Sequence, residues 1–93
     1  MKVLIIEDEI PAVKRLIQLL SELEPTWEIV GKVDEVRTAV EWLETNPKPD
    51  LIFMDIQLAD GHSFDIFEQV EIKSPVIFAT AFDHYAVNAF RVN

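Results

Sequence analysis

Leu51-Ile52-Phe53-Met54-Asp55 is the stretch whose reading decides the fold. Four large apolar residues run without interruption into an acid. A run of that length, bounded by polar residues, is the pattern of a strand covered on both faces, as the strands of parallel sheets are. An ionised carboxylate inside such a layer is costly, so Asp55 belongs at the strand's end, among partners. Val3-Leu4-Ile5-Ile6 repeats the pattern and runs into Glu7-Asp8-Glu9. Lying side by side and parallel, the two strands would bring their terminal carboxylates to one spot, where like charges call for a cation.

Outward from these runs, strands alternate with helical patterns. Pro11 suits the first turn of a helix, where its missing N–H is no loss. Ile10, Val13, Ile17, Leu20 and Leu23 follow at spacings of three and four and form one apolar stripe, closed by Pro25. Trp27–Val33 reads as the second strand, with Gly31 inside it. Asp34 is placed to cap the next helix, whose Val36, Ala39, Val40 and Leu43 face inward and which ends at Asn46-Pro47. After the third strand, Leu51–Met54, the residues Ala59-Asp60-Gly61 form a turn. A short helix from about Ser63 to Val70 carries Phe64, Phe67 and Val70. Pro75 introduces a fourth strand, Val76-Ile77-Phe78-Ala79. Asp83 caps a last helix with Ala86, Val87, Ala89 and Phe90 as its apolar content. Phe53, Phe64, Phe67 and Phe78 read as core, and His62 and His84 as surface or capping residues. The alternation predicts an α/β domain with a parallel sheet and right-handed crossovers, in which ligands bind beyond the carboxyl ends of the strands. Glu7, Asp8, Asp55 and Thr80 all stand at such ends.

Composition narrows the function classes. Ninety-three residues make one domain, and an apolar fraction of 49% supplies one core. Net charge is −9, and the eight Lys and Arg are scattered, so direct nucleic-acid binding by this segment is not expected. The absence of cysteine excludes disulfides and thiolate zinc sites. No apolar run approaches a membrane span or the core of a signal peptide, and the expectation is a cytoplasmic domain.

The acids then define the chemistry. Carboxylates with backbone carbonyls and water make an oxygen site suited to Mg²⁺. Asp55 alone reads equally well as a solvated loop acid; Glu7-Asp8 at the end of another strand moves the reading to a metal site. A carboxylate is also a nucleophile toward phosphorus, giving an aspartyl phosphate. The Thr80 hydroxyl, ending strand four, offers a donor to a phosphoryl oxygen. A phosphatase of the aspartyl-phosphate kind is disfavoured, because Gln57 stands where a second Asp would be needed. Nucleotide binding is disfavoured by the acids and by the lack of a glycine-rich loop.

With these pieces in order, the whole chain resembles a receiver domain of bacterial two-component response regulators. The matching stretches are Val3-Leu4-Ile5-Ile6-Glu7-Asp8-Glu9, Pro49-Asp50-Leu51-Ile52-Phe53-Met54-Asp55-Ile56-Gln57-Leu58, Gly61, and Phe78-Ala79-Thr80-Ala81. Residues 81–90, Ala-Phe-Asp-His-Tyr-Ala-Val-Asn-Ala-Phe, further resemble LytTR-type regulators. The resemblance implies a flavodoxin-like, doubly wound parallel sheet in the order 2-1-3-4-5. It implies that Asp55 accepts a phosphoryl group from a sensor histidine kinase, with no turnover of a separate substrate. Asp8 would ligate Mg²⁺ directly, Glu7 mostly through water, Asp55 by its carboxylate and Gln57 by its backbone carbonyl. Thr80 would hydrogen-bond the phosphoryl group and move with it. The family's receivers normally control a separate DNA-binding output domain.

The chain also departs from the pattern. Glu7 stands in place of the commoner Asp, and Ala59 in place of a frequent Pro. The family's fifth strand, the Lys after it and the fifth helix have no counterpart before Asn93. The expectation is therefore a receiver domain over residues 1–93, truncated after the fourth helix, with the order 2-1-3-4. Its fourth strand would be an open edge through which, with the helix beside it, copies could associate. The alternative is a truncated or pseudo-receiver interaction module that is not productively phosphorylated.

Overall fold

The computed structural model describes residues 1–78 and 91–92. The chain runs β1 (Lys2–Ile6), α1 (Ile10–Leu23), β2 (Glu28–Val33), α2 (Val36–Thr45), β3 (Leu51–Met54), β4 (Gln57–Leu58), β5 (Gly61–His62), α3 (Phe64–Gln69), β6 (Val76–Phe78) and β7 (Arg91–Val92). Thr80, Ala79 and the last helix expected from Asp83 to Phe90, with His84, lie outside the described residues.

The main sheet has the order β2-β1-β3-β6-β7. Its first four strands are parallel, in the order 2-1-3-4 expected of a flavodoxin-like sheet. The fifth place is filled: β7 pairs antiparallel with β6, Val92 opposite Val76 and Arg91 opposite Ile77. The expectation of an open fourth-strand edge is thus corrected, while the parallel order 2-1-3-4 stands; β7 is a two-residue antiparallel addition to it. An unpaired row of backbone donors and acceptors pairs with whatever strand reaches it, and here the chain's own Arg91–Val92 does. β4 and β5 form a small separate hairpin around Ala59-Asp60. The turn there was legible; two strands of two residues were not.

Side-chain alternation along the strands buries both faces. Leu4, Ile6, Ile52, Met54, Val76 and Phe78 point to one side, packed with Val36 and Ala39 of α2 and Ile66 of α3. Val3, Ile5 and Leu51 point to the other, packed with Leu20 of α1 and the half-buried Val13, Leu16, Ile17, Phe53 and Ile77. The α1 stripe is narrower than its spacing predicts. Ile10 and Leu23, at the helix's first and last positions, are 67% and 72% exposed, and Leu16 packs instead. At 100° per residue the two ends have drifted to the margins of the stripe. In the six-residue α3, Ile66 rather than Phe64 reaches the core; Phe64 is half exposed, with its ring centroid 5.3 Å from that of Phe78.

β2 carries a bulge. Val3 pairs with Ile29 but Leu4 with Gly31, leaving Val30 as the extra residue. Directly after the bulge the indole of Trp42 lies over the strand, so a Cβ on Gly31 would stand 2.6 Å from Trp42 Nε1 and 2.9 Å from its Cε2. That contact explains a glycine inside a strand.

Candidate metal centre at the strand ends

The sheet's register makes the site. Ile6 lies opposite Met54, so the residues that follow, Glu7 and Asp55, leave neighbouring strands side by side. Backbone pairing continues past both strands. The Asp55 N–H donates to the Ile6 carbonyl at 2.9 Å, and the Glu7 N–H donates to the Val33 carbonyl at 2.9 Å. The acids are therefore fixed to three strand ends rather than carried on free loops.

Carboxylate oxygens of Glu7, Asp8 and Asp55 lie within 4.8 Å of one another. Asp55 is buried, and its Oδ1 has no hydrogen-bond partner among the described residues. Glu7 and Asp8 are half-buried. Glu7 Oε2 accepts the Glu9 N–H at 3.1 Å. Burial, with the Asp55 carboxylate beside it, pushes the Glu7 carboxyl up to about 8, although the Glu9 N–H pulls the other way. The orphaned Asp55 oxygen, beside two further carboxylates, is the sign of negative charge that the described residues do not balance. Three hard oxygen donors at this separation fit a small divalent cation such as Mg²⁺.

Of the other residues singled out by sequence, Gln57 opens β4 two positions past Asp55, opposite His62, with its side chain exposed. Thr80 is outside the described residues. Beside Glu7 and Asp8 a cleft of about 330 Å³ runs between α1 and the end of β2, with Ile10, Val13 and Ile17 as its apolar wall and Lys14 and Lys32 at its rim.

Asp60, expected only as part of a turn, has a second role. Its Oδ1 accepts the Val36 N–H at 2.6 Å and its Oδ2 the Arg37 N–H at 3.2 Å, which caps α2 from across the molecule. The expected cap, Asp34, is corrected by this: Glu35 is the N-cap residue, and its own N–H donates to Thr38 Oγ1 at 3.2 Å. The first N–H groups of a helix take whichever acceptor is best placed, and the hairpin delivers Asp60 there. A cap separated by 24 residues leaves no local sequence signal.

Parallel order, strand-end acids and a buried aspartate are the features expected of a receiver-type module. The chain belongs to the response regulator receiver domain family, whose sequence model matches residues 3–93. It is 43% identical over 96 aligned residues to the sensory transduction protein LytT of Bacillus anthracis, covering all of this chain and 38% of that protein. It is 38% identical to the transcriptional regulatory protein LytR of Staphylococcus aureus, again covering all of this chain and 38% of the relative. Among solved structures, the response regulatory domain of protein mrkE from Klebsiella pneumoniae superposes with a TM-score of 0.72 at 34% identity, over 94% of this chain and 72% of that one. The chain thus spans less than two-fifths of the length of these curated relatives. Among the described residues no helix is long and apolar enough to cross a membrane.

Proposed function

We propose that this chain is a cytoplasmic phosphoacceptor: Asp55 receives a phosphoryl group from a histidine kinase and holds it as an aspartyl phosphate. The observation that carries this reading is the buried Asp55, with an unpartnered oxygen, packed against Glu7 and Asp8. An Asp55 oxygen attacks phosphorus, the P–N bond to the donor imidazole breaks, and the imidazole leaves with the bonding pair. Asp8 would ligate Mg²⁺ directly, Glu7 would hold it mostly through water, and Asp55 and the Gln57 carbonyl would complete the protein's donors. Bound Mg²⁺ supplies positive charge where the phosphoryl oxygens arrive. The Thr80 hydroxyl donates a hydrogen bond to one of those oxygens. Family membership supports the kinase as donor, and the name of the LytR relative, a transcriptional regulatory protein, supports an output in transcription by the whole protein.

The test is intact-mass measurement with acetyl phosphate and Mg²⁺. One phosphoryl group should be gained, lost on addition of a chelator beforehand, and absent from Asp55→Asn. Trapping of the label on any other residue, or no gain in the parent chain, would refute the reading.

A further inference from the structure

Three hydrogen-bonded links close a ring around the acids. The end of β1 is tied to the end of β2 by Glu7 N–H to Val33 carbonyl, and to the end of β3 by Asp55 N–H to Ile6 carbonyl. β2 and β3 lie on opposite sides of β1 and do not pair with each other. What joins them on the far side is Asp60. It sits in the hairpin that leaves Asp55, and it grips the Val36 and Arg37 N–H groups that open α2, three residues past Val33. The hairpin is held at its base as well: the Ser63 N–H donates to the Ile56 carbonyl at 2.8 Å, and Leu58 is buried in the core that contains Val36. Gly61, at φ +152°, makes the turn that presents Asp60, a conformation open to glycine and strained for other residues.

We propose that Asp60 is a positioning residue for the acidic site: by clamping the hairpin to the start of α2 it fixes the segment carrying Asp55 and Gln57 against the strand end carrying Glu7 and Asp8. This rests on the phosphoacceptor reading for its consequence, and on the ring of hydrogen bonds alone for its geometry. The Val36 N–H, and after it that of Arg37, holds the Asp60 carboxyl below the usual carboxylate range, so the clamp is charged and made at neutral pH. Outer partners that hold metal ligands in place typically change metal affinity by about 10–100-fold when removed.

Three variants of the 93-residue chain separate positioning from charge and from general helix weakening. Asp60→Ala removes the clamp. Asp60→Asn removes the same charge but keeps an acceptor for Val36. Ala39→Gly weakens α2 in its middle and leaves the ring intact. Two readouts are taken on each: Mg²⁺ affinity by tryptophan fluorescence, and hydrogen-exchange protection of the Glu7 and Asp55 amides by NMR. Asp60→Ala is expected to weaken Mg²⁺ about tenfold and to lower protection at Glu7 and Asp55. Asp60→Asn should fall between it and the parent, and Ala39→Gly should leave the metal affinity unchanged. Equal weakening by Asp60→Asn and Asp60→Ala would overturn the proposal in favour of simple charge. Equal weakening by Ala39→Gly would overturn it in favour of helix stability. Should the parent bind no Mg²⁺, the phosphoacceptor reading falls, and the amide protection still decides whether Asp60 holds the strand ends; unchanged protection in Asp60→Ala refutes the clamp.

Discussion

Neutralising Asp55 should stabilise the metal-free protein while abolishing its response to Mg²⁺. The acids of Glu7, Asp8 and Asp55 approach within 4.8 Å. At that distance, with an effective dielectric of about 20, a fully charged pair repels by about 3.5 kcal/mol as an upper bound. Solvent at the half-buried Glu7 and Asp8 screens this, leaving a net gain of about 1–2 kcal/mol for Asp55→Asn. The gain depends on pH, with a sign that follows from Glu7. Its carboxyl is held at about 8 in the folded chain against an ordinary 4.5. The folded state therefore keeps a proton that the unfolded state has released. That contribution is fully present below the unfolded value and is lost as pH rises to about 8. Asp55→Asn removes one of the causes of that shift, and burial, the larger cause, remains. The parent should lose stability on going from acid to mildly alkaline buffer, and the variant should lose less. Magnesium at ten times its dissociation constant should return about 1.4 kcal/mol to the parent and much less to the variant. Urea unfolding followed by tryptophan fluorescence, with and without Mg²⁺, measures all of this, since Trp42 and Trp27 pack against the two cores. An Asp55→Asn chain less stable than the parent in metal-free alkaline buffer would refute the electrostatic account. So would an equal Mg²⁺ response in both.

Gly31→Ala should cost about 1–3 kcal/mol, because the new methyl meets the Trp42 indole at 2.6 Å. A shifted Trp42 emission would accompany the lower urea midpoint, and Trp42→Leu in the same chain should recover part of the loss. Ile66→Ala, at a fully buried position under the sheet, should cost about 2–5 kcal/mol by leaving a cavity; a loss under about 1 kcal/mol would mean that α3 packs more loosely than described. Ser74→Ala removes the buried hydroxyl that donates to the Pro49 carbonyl at 2.6 Å, and should cost about 1–3 kcal/mol in the same assay. It should leave Mg²⁺ affinity unchanged, since that bond lies at the opposite ends of the strands from the acids.

The four parallel strands, the first three helices and the acidic cluster are legible in the sequence because each depends on local pattern. Uninterrupted apolar runs such as Leu51–Met54 specify strands covered on both sides, and an acid directly after such a run has only the strand's end to occupy. What sequence did not reveal depends on partners far away along the chain. Asp34 has the right chemistry for a cap, but Asp60 takes the position from 24 residues away. Gly31 looks like a weak point in a strand until the Trp42 ring is placed on it. The fourth strand looks like an open edge until Arg91–Val92 returns antiparallel beside it. Phe64 and Ile66 could not be ranked from periodicity in a helix of only six residues.

The same features that make the fold stable make the site unstable. Leu4, Ile6, Ile52 and Met54 hold β1 and β3 in a dry, fully paired layer, and the ladder runs on to the Glu7 and Asp55 backbones. The backbones that carry Glu7 and Asp55 are held by that ladder; burial, and after it the neighbouring Asp55, raises the Glu7 carboxyl, and one Asp55 oxygen is left without a partner among the described residues. A flexible loop with the same three acids would relax and bind a cation weakly. In the proposed reading, a cation held at a rigid site would relieve the repulsion among the acids, and a phosphoryl group arriving at Asp55 would change the balance again. Asp60 accepts from the first N–H groups of α2, and under the clamp proposed above a change in charge at Asp55 would act on a connected structure rather than on one side chain. The α2 N-terminus and the β4–β5 hairpin are therefore where a response to the charge on Asp55 should first be read, as amide shifts at Val36, Arg37 and Gly61 that vanish in Asp60→Ala.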